Sequence, residues 1–170
     1  MRIRIIQIGK NKDKYIEEAV NEFLKRLNGF ADIEIVTLKE CNVSKTFTKE
    51  RATSEESKEI IGKLDKGDFV VALDERGKEY SSVEFSKFLQ KFKDDGLEIT
   101  FIIGGPYGLS EEVKKRANLT LSFSKMTLTH QMIRIFLLEQ IYRGFCIMLG
   151  KEYHNEGEIY NLLIKTQWLT

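Results

Sequence analysis

Glu98-Ile99-Thr100-Phe101-Ile102-Ile103-Gly104-Gly105-Pro106-Tyr107-Gly108-Leu109-Ser110 is the stretch on which the fold turns. Its first half is an apolar run of strand length that enters a glycine pair without a break. Its last residue, Ser110, is followed by Glu111 and Glu112, which offers an N-cap acceptor and negative charge at the positive end of a helix dipole. Strand, glycine turn and helix in this order predict an α/β unit, and open α/β sheets bind ligands at the carboxyl ends of their strands. Gly104 and Gly105 let backbone amides approach a flat ligand with no Cβ in the way. Taken alone, the same glycines also fit a plain tight turn.

Working outward, strand-like and helix-like segments alternate. Residues 2–8 alternate in period two, residues 13–27 carry apolar side chains at helical spacing up to Asn28-Gly29, and residues 32–38 alternate again. Residues 40–53 are polar and predict a loop, followed by a surface helix over 54–64. Residues 69–73 form an apolar run without alternation, expected as a central strand, and 74–78 read as a polar turn holding Gly77. Ser81-Ser82-Val83-Glu84 matches a capping box ahead of Phe85, Phe88, Leu89 and Phe92, and Gly96 ends that helix. A last short strand over 119–123 and a loop over 124–128 lead to a long helix over 129–149, closed by Gly150. That helix is apolar on nearly every face, which predicts burial on more than one side and a homodimer interface. The reading is a mostly parallel sheet flanked by helices. It spans one domain over 1–154, with an extension at 155–170 packed on or beside it.

Composition narrows the function classes. The 170 residues are 42% hydrophobic and 31% charged, which fits a folded globular chain rather than a disordered one. With 27 Lys+Arg against 26 Asp+Glu, the net charge of +1 excludes binding of nucleic acid by bulk positive charge. The balance is uneven along the chain: residues 1–29 and 113–154 hold the positive excess, residues 30–112 the negative one. Cys41 and Cys146 form no CxxC pair and the only histidines are His130 and His154, so no disulfide framework or metal site is expected. Arg134, Glu139 and Arg143 interrupt the most apolar stretch, whereas a membrane span needs about 20 nearly uncharged residues. A cytoplasmic protein without a membrane segment is expected. Phosphate-loop, dinucleotide-binding and serine-hydrolase motifs are absent.

The motifs Ile102 to Leu109, Leu121 to Arg134, Glu139 to Arg143 and Tyr153-His154 together closely resemble the RlmH family of small SPOUT methyltransferases. The resemblance runs from the first strand, Ile8-Gly9-Lys10, to His154. It implies a SPOUT-type sheet with a C-terminal trefoil knot and a homodimer. It also implies S-adenosyl-L-methionine as cofactor and methylation of N3 of a pseudouridine in 23S ribosomal RNA on assembled ribosomes. By position, Leu73, Gly104, Gly105, Phe123, Ser124, Lys125, Met126, Thr127 and Leu128 would hold the cofactor. An apolar slot with backbone donors and acceptors is what adenine and the methionyl chain require.

Arg143, Tyr153 and His154 are the catalytic candidates, and His130, Arg134 and Arg143 the RNA-binding ones. A guanidinium at Arg143 can bind phosphate or base oxygens and favour a developing anion, but it can equally pair with Glu139 one turn back. His130 can serve RNA or cap the long helix, and Arg134 can contact RNA or an acid nearby. Thr129 stands where the family commonly carries proline, and the family usually ends soon after the Tyr-His pair. The alternatives are a non-catalytic ribosome- or RNA-binding α/β module, or a methyltransferase acting on another RNA.

Overall fold

A computed structural model describes residues 1–153 of the chain. His154 and the extension at 155–170 lie outside the described residues. The elements are β1 (Arg2–Ile8), α1 (Lys14–Leu27), β2 (Asp32–Leu38), α2 (Lys49–Ile61), β3 (Val70–Glu79), α3 (Ser82–Asp94), β4 (Ile99–Ile103), α4 (Glu111–Arg116), β5 (Leu119–Ser122) and α5 (Met132–Met148). All five strands pair in parallel in the order β2-β1-β4-β3-β5. The glycine stretch therefore leaves the middle strand, and β4 is buried along its whole length.

Side chains leaving opposite faces of the sheet build two cores. On one face Ile3, Ile5, Val71, Phe101 and Ile103 meet α1, α3 and α5 through Ile16, Val20, Phe85, Leu89, Leu137, Ile141 and Phe145. On the other, Ile6, Ile8, Ala72 and Ile102 meet α2 and α4 through Ile60 and Val113. An apolar side chain such as Phe101, removed from water at about 25 cal/mol per Å² of apolar surface, is the main source of cohesion. Gly144 lets α5 lie close on α3: a Cβ there would stand 3.1 Å from Leu89, and Ser86 donates a hydrogen bond to its carbonyl at 2.8 Å.

Several expectations shift. The middle position belongs to β4, and β3 lies one in from the edge, still covered on both faces. Helix α2 begins at Lys49 rather than at 54, because the Thr48 hydroxyl accepts from the Arg51 amide and opens the helix early. The polar segment after Leu73 does not end the strand. β3 leaves the ladder after Leu73 and rejoins it at Lys78, which pairs with Leu121, as does Leu73 before it. Residues 74–77 thus bulge out, and Gly77 lies flat against β5, where a Cβ would meet the carbonyl carbon of Leu121 at 2.6 Å. The capping box at Ser81 and Glu84 forms as expected.

Adding a methyl group at Gly77 must push β3 off β5. Gly77→Ala is expected to destabilise the fold by about 1–3 kcal/mol in urea unfolding, and an unchanged midpoint would refute this packing.

Candidate active site

The loops leaving β3, β4 and β5 converge at the carboxyl edge of the sheet and enclose a cavity of about 680 Å³. Leu73, Gly104, Gly105, Phe123, Ser124, Met126, Thr127 and Leu128 all line it, and so does His130. Lys125, named with them, is exposed and takes no part in the wall. Phe123 joins the wall to the core, its ring edge-on to Phe85 at 6.1 Å. Gly104 is required by crowding: a Cβ there would stand 2.7 Å from the carbonyl carbon of Gly108, which itself has φ 76°.

The bulge in β3 contributes charge that sequence reading missed, because a polar turn carries no signal that it will face a cavity. Asp74, Glu75, Arg76 and Lys114 line the same space. Lys114 pairs with Asp74 at 2.7 Å, and the Thr127 hydroxyl donates to Glu75 at 2.6 Å. Burial by itself would raise the Asp74 carboxyl. The bond from Lys114 and that from the Arg76 amide outweigh it and hold the group below its ordinary value. Two carboxylates and two cations together on the rim suit a ligand that carries charge of both signs. The size, the glycine backbone and the apolar side chains suit a nucleoside-sized one. S-adenosylmethionine, a nucleoside with a sulfonium, an ammonium and a carboxylate, meets both conditions.

His130 does not cap α5. The Thr129 hydroxyl does, accepting from the Met132 amide at 3.2 Å. The Nε2 atom of His130 is buried and has no hydrogen-bond partner among the described residues, which leaves it available at the cavity wall. Burial, then the charge of Arg134, lowers its pKa below the ordinary value and keeps the ring neutral near pH 7.

Arg134 is corrected from an RNA contact to an interior clamp. It is 2% exposed, and its guanidinium donates to the carbonyls of Ile8 at 2.5 Å and Gly9 at 3.0 Å, and to Asn11 Oδ1 at 2.7 Å. Burial brings its pKa down to about 10.

Arg143 and Tyr153 stand elsewhere. Neither lines the cavity. Arg143 donates to Glu139 through Nε at 2.9 Å and also through Nη2, and its guanidinium lies over the Tyr153 ring at 4.8 Å. Tyr153 packs edge-on against Tyr142, at 4.8 Å, and its hydroxyl donates to Glu139 at 3.4 Å. Burial, and next to it the Glu139 charge, raises the Tyr153 phenol pKa. Among the described residues no group of three or more His, Cys, Asp or Glu is placed to hold a metal, and no helix is long and apolar enough to cross a membrane.

A parallel sheet with a loop-built cavity at its carboxyl edge defines a ligand-binding α/β domain. The family described as "Predicted SPOUT methyltransferase" matches residues 1–154, and the chain belongs to it. Among curated relatives, the "Ribosomal RNA large subunit methyltransferase H" of Caldicellulosiruptor bescii is 44% identical over 152 residues, 89% of this chain and 99% of that one. The protein of the same name from Enterococcus faecalis is 40% identical over 158 residues, 91% of this chain and 99% of its own. Solved structures share the fold at low identity. A "Probable Methyltransferase" from Bordetella pertussis Tohama I has a TM-score of 0.54 at 12% identity, covering 85% of this chain and 94% of its own. The "tRNA (m1G37) methyltransferase" of Aquifex aeolicus gives 0.51 at 15%, covering 84% and 70%.

A histidine held below its ordinary pKa stabilises the fold above that value, and the contribution is lost as pH falls through the lowered one. Between about pH 6.5 and 5 the wild type is expected to lose stability more steeply than His130→Gln in denaturant titrations. Parallel slopes would rule out a buried neutral imidazole.

Proposed function

We propose that this chain is an S-adenosylmethionine-dependent methyltransferase that modifies N3 of a pseudouridine in 23S ribosomal RNA. It acts on assembled ribosomes, in the cytoplasm, as a homodimer with a C-terminal trefoil knot. The observation that carries this reading is the cavity at the ends of β3, β4 and β5, in a chain that matches relatives named for ribosomal RNA methylation along nine tenths of its length.

Bound in that cavity, the cofactor supplies a methyl group on a sulfonium, so the chain needs only to position the base and ease the loss of its N3 proton. Leu73, Phe123 and Leu128 form the apolar slot, with Met126 exposed at its mouth. The backbone of Gly104 and Gly105 offers donors and acceptors at short range, and Asp74 and Glu75, with Arg76 and Lys114, place charge of both signs at the rim. His130, neutral and with an open Nε2, faces the same space.

Arg143 and Tyr153 reach a cavity only across a dimer. Ile133 lines the cavity, and Arg143 lies nearly three turns further along α5, about 15 Å away at 1.5 Å per residue. The outer side of α5 keeps Phe136 41% exposed, beside partly buried Met132, Ile133 and Ile135. Burying that side against a second copy in antiparallel arrangement sets the Arg143-Tyr153 end of one α5 beside the cavity of the other. There the guanidinium would hold phosphate or base oxygens, exchanging Glu139 for substrate, with Tyr153 beside it.

Large subunits and assembled ribosomes from a strain lacking this modification, incubated with the protein and S-adenosylmethionine, are expected to gain one methyl on a 23S pseudouridine by mass spectrometry. No gain on either particle, or methylation of transfer RNA in their place, would overturn the reading.

The crossed arrangement has its own test. Gly104→Ala closes the cavity and Arg143→Ala removes the guanidinium, so each variant alone is expected to be inactive. Mixed and refolded together, they form dimers with one intact site, and about a quarter of wild-type activity returns if pairing is random. No recovery would place Arg143 on its own subunit's cavity.

A further inference from the structure

We propose that Glu56 is a positioning residue for the Gly104-Gly105 turn, its carboxyl group bracing the cavity wall from the side away from the ligand. Glu56 comes from α2, an element that contributes nothing to the cavity lining. It is 2% exposed. Its Oε1 accepts from the Cys41 amide at 2.9 Å, while Oε2 has no hydrogen-bond partner among the described residues. That free oxygen lies against Gly105: a Cβ there would stand 3.1 Å from Oε2, 3.5 Å from Oε1 and 3.0 Å from Ile8 Cγ2. The next residue, Ser57, holds the other end of the same turn. Its hydroxyl shares a 2.6 Å hydrogen bond with that of Ser110, the N-cap of α4. Two successive residues of α2 therefore grip both ends of residues 105–110, the segment that the cofactor reading depends on.

The brace is sensitive to protonation. Burial raises the Glu56 carboxyl pKa, the Cys41 amide lowers it in part, and the Glu40 charge raises it again. The loop after β2 brings Glu40 and the Cys41 thiol to this group. Lys12 from the loop after β1 is paired with Glu40 at 3.0 Å, and on the near end of β1 and the turn after β4 the neighbours are the uncharged Ile8 and Gly105. As pH rises through the elevated value, an ionised carboxylate without a cation of its own stands behind the turn. The neutral form is the one that packs.

Hydrogen exchange read by mass spectrometry on the ligand-free protein tests this without relying on activity. After correction for the intrinsic rate, opening of residues 104–109 is expected to rise about tenfold in the wild type as pH climbs from about 4, just below the ordinary carboxyl value, to about 8, and to stay flat in E56Q. E56D, which withdraws the carboxyl by one methylene, is expected to open the same segment at every pH. Equal profiles for wild type and E56Q, full protection in E56D, or a loss spread equally over β1 and α3 would each overturn the proposal. The inference uses the functional reading to give the turn its purpose. Should the turn respond as expected while calorimetry finds no saturable S-adenosylmethionine binding, the brace stands and the methyltransferase reading falls.

Discussion

A guanidinium group inside the protein, with no carboxylate paired to it among the described residues, ties the last helix to the first strand. Arg134 stands in the first turn of α5, and its acceptors are the last carbonyls of β1 and the loop beyond. Leaving buried carbonyls unpaired costs about 1–3 kcal/mol each, so the clamp fixes where α5 enters the structure. Everything near the cavity depends on that entry point. The segment from Phe123 to His130 is stretched between β5, at one edge of the sheet, and this anchor, beside β1 on the far side of β4. Crossing the carboxyl edge between those points, it closes the cavity over the ends of β3 and β4.

The site also has a division of labour between the two layers of helices. On one face α5 supplies the anchor and carries Arg143 and Tyr153 away from the cavity, toward the opposite end of the sheet. On the other, α2 touches no ligand space and holds the turn that does. Charge is divided in the same way. The bulge in β3 brings Asp74, Glu75 and Arg76 to the cavity, and the Arg143-Glu139 pair of the long helix stands elsewhere.

Much of this was legible in the sequence. The apolar run into Gly104-Gly105 marked a buried strand and its ligand edge, because burial on both faces removes alternation, but the run at 69–73 carries the same signal, and no local pattern tells which of the two is the middle strand. Ser81-Glu84 and Ser110 marked helix starts by local chemistry alone. What failed depended on partners distant in the chain. The polar segment 74–77 reads as a turn, and only pairing of Lys78 with Leu121 shows it to be an excursion from a continuing strand. Arg134 reads as a surface cation, since no local pattern announces that carbonyls from the end of β1 and the loop after it will enclose it. Glu56 is invisible for the same reason: on a polar-looking helix, nothing separates one buried glutamate from its exposed neighbours. Thr129, and not His130, accepts from the Met132 amide that opens the long helix.

The strand order carries a consequence for how the chain assembles. β1 and β2 can pair as soon as α1 connects them, but the other edge of β1 is filled by β4, with Ile3 opposite Ile99. At about 5–20 residues per second, a growing chain leaves that edge open for roughly 5–20 seconds before its partner is made. During that wait the nascent βαβ unit presents an unpaired, isoleucine-rich strand, the kind of edge that recruits foreign strands. The alternating arginines of β1, Arg2 and Arg4, whose later partners are Glu98 and Asp68, place positive charge along it meanwhile. The same side chains that trim the finished sheet thus guard the half-built one.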